Sequence, residues 1–165
     1  MIWSLSHRFD LAALPIADRH YNRQKVGSPQ FVPPGRCLVL LAPSALWVTS
    51  WPFAAYTRHR WGGAWVCSCF RREGGDVPAS TMIVQAVAAT RWRWPATPAF
   101  GMVTFINREK VRPTKVHGRE VWGWTYRRAG FEEDGETEGG LLALRLRPER
   151  MPAPEMPIGA TVSLW

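Results

Sequence analysis

The sequence predicts an α+β domain: a central twisted mixed β-sheet of about six to seven strands flanked by three to four helices. Three observations lead there. The 165 residues fit a single domain. Hydrophobic residues make up 46% and charged residues 21%, enough apolar side chain for a packed core. The pattern along the chain then reads strand, helix, three strands, helix, strand, helix, strands.

Residues 1–7 alternate apolar and polar (Ile2, Trp3, Leu5) as a first strand. Residues 10–20 carry helical spacing, with Pro15 at a helix start or break. Residues 22–35 form a polar loop rich in Gly, Ser and Pro. Residues 37–42 and 45–51 are two strands joined at Pro43-Ser44, and 63–71 is a fourth. Residues 53–61 between them read as irregular. Ser80 is a plausible N-cap for a helix to about Trp92, whose Met82, Ile83, Ala86 and Val87 recur at helical spacing. Pro95 and Pro98 close that segment, and 99–106 is a strongly apolar central strand. Residues 107–119 read as a basic loop, 122–129 as a short helix closed by Gly130, and 131–137 and 141–146 as the last strands. These elements make a domain of residues 1–147, followed by a Pro-rich, loosely docked extension over 148–165.

Twenty-one Lys and Arg against 13 Asp and Glu give a net charge of +8, which favours polyanionic partners, nucleic acid foremost. Ten tryptophans can fill a core or stack on bases. No apolar run approaches the ~20 residues that cross a bilayer. The N-terminal residues lack a signal-peptide pattern, so no membrane partner is expected. Three cysteines cannot build a disulfide framework. Strand alternation would set Cys67 and Cys69 on one face as reduced core thiols.

The element order, together with Thr125-Tyr-Arg-Arg-Ala-Gly-Phe131, resembles the Gcn5-related N-acetyltransferase (GNAT) fold, in which a helix ends in Tyr-x-x-x-Gly-Phe. That resemblance implies a cleft between splayed fourth and fifth strands and a general-acid role for Tyr126. The family's coenzyme A loop would correspond to Arg71-Arg-Glu-Gly-Gly-Asp76, making Arg71, Gly74 and Gly75 the cofactor-binding candidates. Asp76 stands where Gly or Ala belongs, and a carboxylate beside a diphosphate is unfavourable, so use of acetyl-CoA is doubtful.

A narrower resemblance rests on His20-Tyr21-Asn22 before a Ser-containing loop, and on Tyr126 to Phe131. Both are similar to motifs of the Mom DNA-modification proteins of bacteriophages. This resemblance implies carbamoylmethylation of adenine N6 in double-stranded DNA, protection from restriction, and a cytoplasmic site of action in a phage-infected or prophage-bearing bacterium. His20, Tyr21 and Tyr126 become the catalytic candidates. Asn107 stands where relatives carry Asp just after the fifth strand, and Asn cannot act as a general base. His117 or a distant acid would then have to supply that role.

The donor remains open. Iron or another metal is an option only if a second ligand (His59, His117 or a Glu) converges on His20. The basic loop supplies Arg108, Lys110, Arg112 and Lys115 as phosphate contacts. Arg91-Trp-Arg93-Trp94 reads as a cation–aromatic DNA surface or base wedge, and Ser28-Pro-Gln-Phe31 as a base pocket. An acetyl-CoA-dependent N-acetyltransferase and a non-catalytic nucleic-acid-binding module are the alternatives.

Overall fold

The computed structural model describes residues 1–161, and residues 162–165 of the expected extension lie outside the described residues. The fold is mixed α+β. In chain order its elements are β1 (Ser4–Ser6), α1 (Leu14–Asp18), β2 (Arg36–Ala42), β3 (Ala45–Trp51), β4 (Trp65–Arg72), α2 (Ala79–Arg93), β5 (Met102–Ile106), β6 (Thr114–Val116), β7 (Arg119–Val121), α3 (Trp124–Arg128), β8 (Glu132–Glu136) and β9 (Leu142–Leu146). Single 3₁₀ turns occupy Ala54–Tyr56 and Pro148–Arg150.

One seven-stranded sheet runs in the order β1-β2-β3-β4-β5-β9-β8. Every neighbouring pair is antiparallel except β4 and β5, which are parallel. The main core covers one face, where Trp3, Leu38, Leu40, Trp47 and Trp65 meet Met82, Ile83, Ala86 and Val87 of α2. A second cluster lies under α1, joining Ile16 and Ala17 to Val39, Leu46 and Val48. A third joins Trp61 and Ala64 to Val103 and Ala143.

Trp3, Trp47, Trp61 and Trp65 are fully buried, so much of the tryptophan content is core. Three of their four indole N–H groups find partners, and that of Trp65 has none among the described residues. Trp3 Nε1 donates to the Met82 carbonyl at 2.8 Å, and Trp47 Nε1 to Thr49 Oγ1 at 2.7 Å. Thr90 donates back to the Ala86 carbonyl at 2.8 Å, a pattern that suits a hydroxyl inside a helix.

Several expected elements change shape. The first strand shrinks to three residues. The first helix shrinks to five, because Pro15 lacks an N–H and occupies only the first turn. Upstream of it, Asp10 accepts from Ser6 Oγ and from the Ala12 N–H, closing a turn instead of a helix. Ser80 is not the cap of α2: Pro78 is, in extended conformation, and Ser80 lies inside the first turn.

The basic loop contains a separate ribbon, β6 paired with β7, with Lys115 opposite Glu120. Its turn places His117 at φ 47° and Gly118 at φ 76°. That double left-handed turn matches the twist of a two-residue hairpin. Three-residue strands are too short to show a period in sequence.

Gly123 at φ 69° starts α3 tight against the sheet. A Cβ there would meet Leu144 Cδ1 at 2.3 Å and Ile106 Cδ1 at 2.6 Å.

The chain after Pro148 is held rather than loose. Met151 is buried, Glu155 N donates to the Ala88 carbonyl at 3.1 Å, and Ile158 exchanges backbone hydrogen bonds with Trp3 and Leu5. The tail thereby covers the end of α2 and the sheet edge at β1.

Candidate functional site

Strand β4 pairs with β5 only at Trp65↔Met102 and Val66↔Val103. Beyond Val66 the two strands part, which leaves backbone carbonyls without a ladder partner. Side chains take over. Thr104 Oγ1 donates to the Cys67 carbonyl at 3.2 Å, Asn22 Nδ2 to the Ser68 carbonyl at 2.9 Å, and Tyr21 Oη to the Phe105 carbonyl at 3.3 Å. The loop after α1 is thus pinned across the mouth of the gap.

A bulge sharpens the arrangement. Val48 faces Cys69 and Thr49 faces Cys67, so Ser68 is the extra residue of β4. The bulge reverses the side-chain alternation. Cys67 faces the main core, while Cys69 packs against the cluster under α1. The expectation that both thiols share a face is corrected: alternation holds only in an uninterrupted strand. Burial pushes both thiols up to about 12, so neither is a thiolate at neutral pH. The three cysteines are free.

Two chambers open at the gap. The first, about 350 Å³, is lined by His20, Tyr21, Cys67, Arg71, Arg112 and Tyr126 among others. The second, about 490 Å³, is lined by Gln24, Val66, Asn107, Lys110 and Leu141 among others. Tyr21, Asn22, Cys67, Ser68 and Phe105 line both and form the shared wall. Ile106, on the α2 face of the sheet, lines only the first chamber, whereas Val66, packed with the cluster on the other face, lines only the second. The chambers therefore approach the same gap from opposite sides.

His20, Tyr21 and Tyr126 all meet the first chamber, although they come from different elements. His20 stacks on Tyr21 with centroids 4.6 Å apart, and its Nδ1 contacts Asn22 Oδ1. An Nδ1–H donated to that oxygen puts the ring's lone pair on Nε2, and the Phe70 backbone carbonyl also faces the ring. Burial lowers the pKa of His20, and the neighbouring Arg71 charge lowers it further, so the ring is neutral at neutral pH. Tyr126 is held edge-on between Phe70 and Phe131, and its hydroxyl lies 3.4 Å from Cys67 Sγ. Burial first, and then Cys67, keep the phenol well above its usual range and so protonated.

Asn107 lines only the second chamber. Its Oδ1 accepts from the Glu109 N–H at 3.0 Å, which makes it a turn-former whose amide nitrogen alone remains free.

The loop after β4 does not fit a diphosphate. Arg71 donates to the Arg19 carbonyl at 2.6 Å, and Arg72 to the carbonyls of Gly75 and Val77. Glu73 N donates to the Ser44 carbonyl at 2.7 Å. Gly74 and Gly75 line a small cavity of about 100 Å³ beside Ile2, Ala42 and Met82, away from both chambers. The Glu73 amide is thus taken by Ser44, and Gly74 and Gly75 line neither chamber.

The expected DNA contacts divide. Arg108 is paired with Glu136, and Arg91 donates to the Pro152 carbonyl at 2.7 Å to hold the tail. Trp94 is buried against Trp51 and Trp65, so this tryptophan of the Arg91–Trp94 stretch packs the core and is no base wedge. Arg93 is exposed and lines a different cavity, with Leu5, His7 and Leu38. Lys110, Arg112 and Lys115 are exposed and form no ion pair among the described residues. Ser28, Gln30 and Phe31 line a third cavity of about 510 Å³ that shares Asn22 and Ser68 with the first chamber.

Sequence reasoning missed Asn22, Ser68 and Thr104 as parts of the site. Asn22 had a usable signal beside His20-Tyr21. Ser68 and Thr104 matter only because of the bulge and the parted strands, which leave no local signature.

Among the described residues, no group of three or more His, Cys, Asp or Glu side chains is gathered to hold a metal ion. None of their helices is long and apolar enough to cross a membrane. Comparison with protein-family models, with curated proteins and with solved structures finds no match.

Proposed function

We propose that this chain is a transferase on a degenerate GNAT-like scaffold that modifies adenine N6 in double-stranded DNA, in the manner of the Mom family. One observation carries the reading. Two chambers reach one gap between β4 and β5 from opposite faces of the sheet, and Tyr21 stands in the wall they share. The sheet order and its lone parallel pair at the gap support the scaffold assignment.

Chemistry at N6 is obstructed inside a duplex, so the adenine is flipped out of the stack. The flipped base enters by the second chamber, past the exposed Lys110, and Tyr21 meets it at the shared wall. The donor lies in the first chamber by Tyr126. The N6 lone pair forms the new N–C bond, and the donor carbon's bond to its leaving group breaks with the electron pair going to that group. His20 Nε2 takes the proton lost from N6. Tyr126 gives its phenolic proton to the leaving group. No step passes through coenzyme A or a metal. Lys110 and Lys115, which are exposed and form no ion pair among the described residues, supply phosphate contacts, which orient a duplex without reading its sequence.

The test is nucleoside mass spectrometry of plasmid DNA from cells making the wild type, His20→Ala, Tyr21→Phe or Tyr126→Phe, with thermal melts as folding controls. Modified adenine from the wild type, lost in folded variants, is the expected result. Unmodified DNA from the wild type, also under phage infection, leaves only a binding module. Micromolar binding of acetyl-CoA by calorimetry points instead to an ordinary acetyltransferase.

A further inference from the structure

Arg71, Arg72 and Arg112 all line the first chamber, and no Asp or Glu does. Nothing else on its wall cancels that charge. The two thiols and Tyr126 stay protonated, and His20 stays neutral. Arg72 bonds only to neutral carbonyls. Arg71 shares one carboxylate with Arg19: Glu73 lies 3.5 Å from Arg71 Nε and 2.7 Å from the Arg19 guanidinium. One negative charge between two guanidiniums leaves a net positive charge. Arg112 is exposed and has no hydrogen-bond or ion-pair partner among the described residues, so its planar fork of donors is free. A recess lined by charge of one sign concentrates such a field.

We propose that the first chamber is a binding site for a small anion, a carboxylate- or phosphate-bearing co-substrate, with Arg112 as its clamp and Arg71 and Arg72 supplying the field. This rests on the reading of the Tyr126 side as the donor side. The floor of the recess is the buried Cys67 and Ile106, which suits a compact molecule rather than a continuous DNA track. Thr114 and Thr125 line the same chamber and offer hydroxyls to the anion. The occupant is smaller than coenzyme A, whose diphosphate the Arg71–Asp76 loop does not accommodate.

The experiment titrates the full chain with four probes: inorganic phosphate, pyrophosphate, glycine and succinate. Calorimetry and thermal shift are read in about 0.15 M sodium chloride, near physiological ionic strength. The phosphate and carboxylate arms identify which anion chemistry the site takes. At least one probe binds. Arg112→Ser weakens it about tenfold or more, since a charge-assisted pair to a guanidinium exceeds the 1.4 kcal/mol that equals a tenfold change. Arg112→Lys keeps the charge but loses the fork, and falls between. Arg58→Ser, an exposed arginine outside the chamber, leaves binding unchanged. Three results overturn the proposal: no probe binds, Arg58→Ser and Arg112→Ser weaken binding equally, or a short DNA duplex displaces the probe competitively. The adenine assay is scored separately. Anion binding with unmodified DNA removes the transferase reading and keeps the site, whereas modified DNA without anion binding does the reverse.

Discussion

Strand β4 has two borders of opposite character. Toward β3 it is paired from Ser50↔Val66 to Ala45↔Arg72, interrupted only by the bulge at Ser68. Toward β5 it is paired at Trp65 and Val66 and then released. The paired border is backed by Trp47 and Leu46, both fully buried. The released border is backed by hydroxyls and amides, those of Thr104, Asn22 and Tyr21. A freed backbone carbonyl must find a donor, so polar side chains gather where ladder pairing stops. The same strand thus anchors the fold on one side and opens the cleft on the other.

That contrast is broken most sharply by Tyr126→Phe on the released side. The change removes one hydroxyl and little volume. Adenine modification is expected to fall ~100–10,000-fold, the usual contribution of a general acid or base. The melting temperature is expected to stay near that of the wild type. Initial rates on plasmid DNA beside a thermal melt check both halves.

Trp47→Ala on the paired side gives the converse. It empties a fully buried aromatic site of β3 and is expected to cost ~3–5 kcal/mol of stability. Urea unfolding measures this, and the fraction of protein that stays folded keeps its specific activity.

Thr104→Val sharpens the comparison further. The valine preserves shape but removes the donor to the Cys67 carbonyl, at about 1 kcal/mol of stability. The effect on activity is expected to exceed that on stability, because the lost bridge spans the parted strands. A stability loss without any change in rate would assign Thr104 to the scaffold alone.

The smallest effect is the pH dependence. The folded-state pKa of His20 is depressed, so below about 6.5 the unfolded chain binds more protons there than the folded one. Stability is therefore full above that value and declines as pH falls toward the folded pKa. His20→Asn is expected to flatten the acid side of a stability-versus-pH curve, leaving the contribution of His59, which burial lowers in the same sense. The acid limb of the rate profile is expected below 6.5, since His20 must be neutral to accept a proton.

The Arg71–Asp76 loop and the Tyr126–Phe131 helix end fared differently in the passage from sequence to structure. The helix end is local. Gly130 at φ 98° follows α3, Phe131 N donates to the Tyr126 carbonyl at 3.0 Å, and spacing alone suffices to read it. The loop's character depends on Arg19, Ser44 and Glu73, which lie far apart in sequence and meet only in the folded chain.

The sequence by itself determined three apolar elements: β3 at Ala45–Trp51, the helix α2, and the β9 strand at Leu142–Leu146. The two strands follow from short apolar runs bounded by turn residues, and the helix from apolar spacing, all within a few residues. Tertiary structure alone decided that β4 and β5 part after Val66, that the Ser68 bulge sends Cys67 and Cys69 to opposite faces, and that His20, Tyr21 and Tyr126 meet at one chamber. It also decided which arginines are free. Arg91 and Arg112 look alike in the chain, yet one holds the tail carbonyl of Pro152 and the other stands at the cleft with no partner among the described residues. A guanidinium's charge is written in the sequence, but the partner of Arg91 lies 61 positions away, and only packing brings the two within reach.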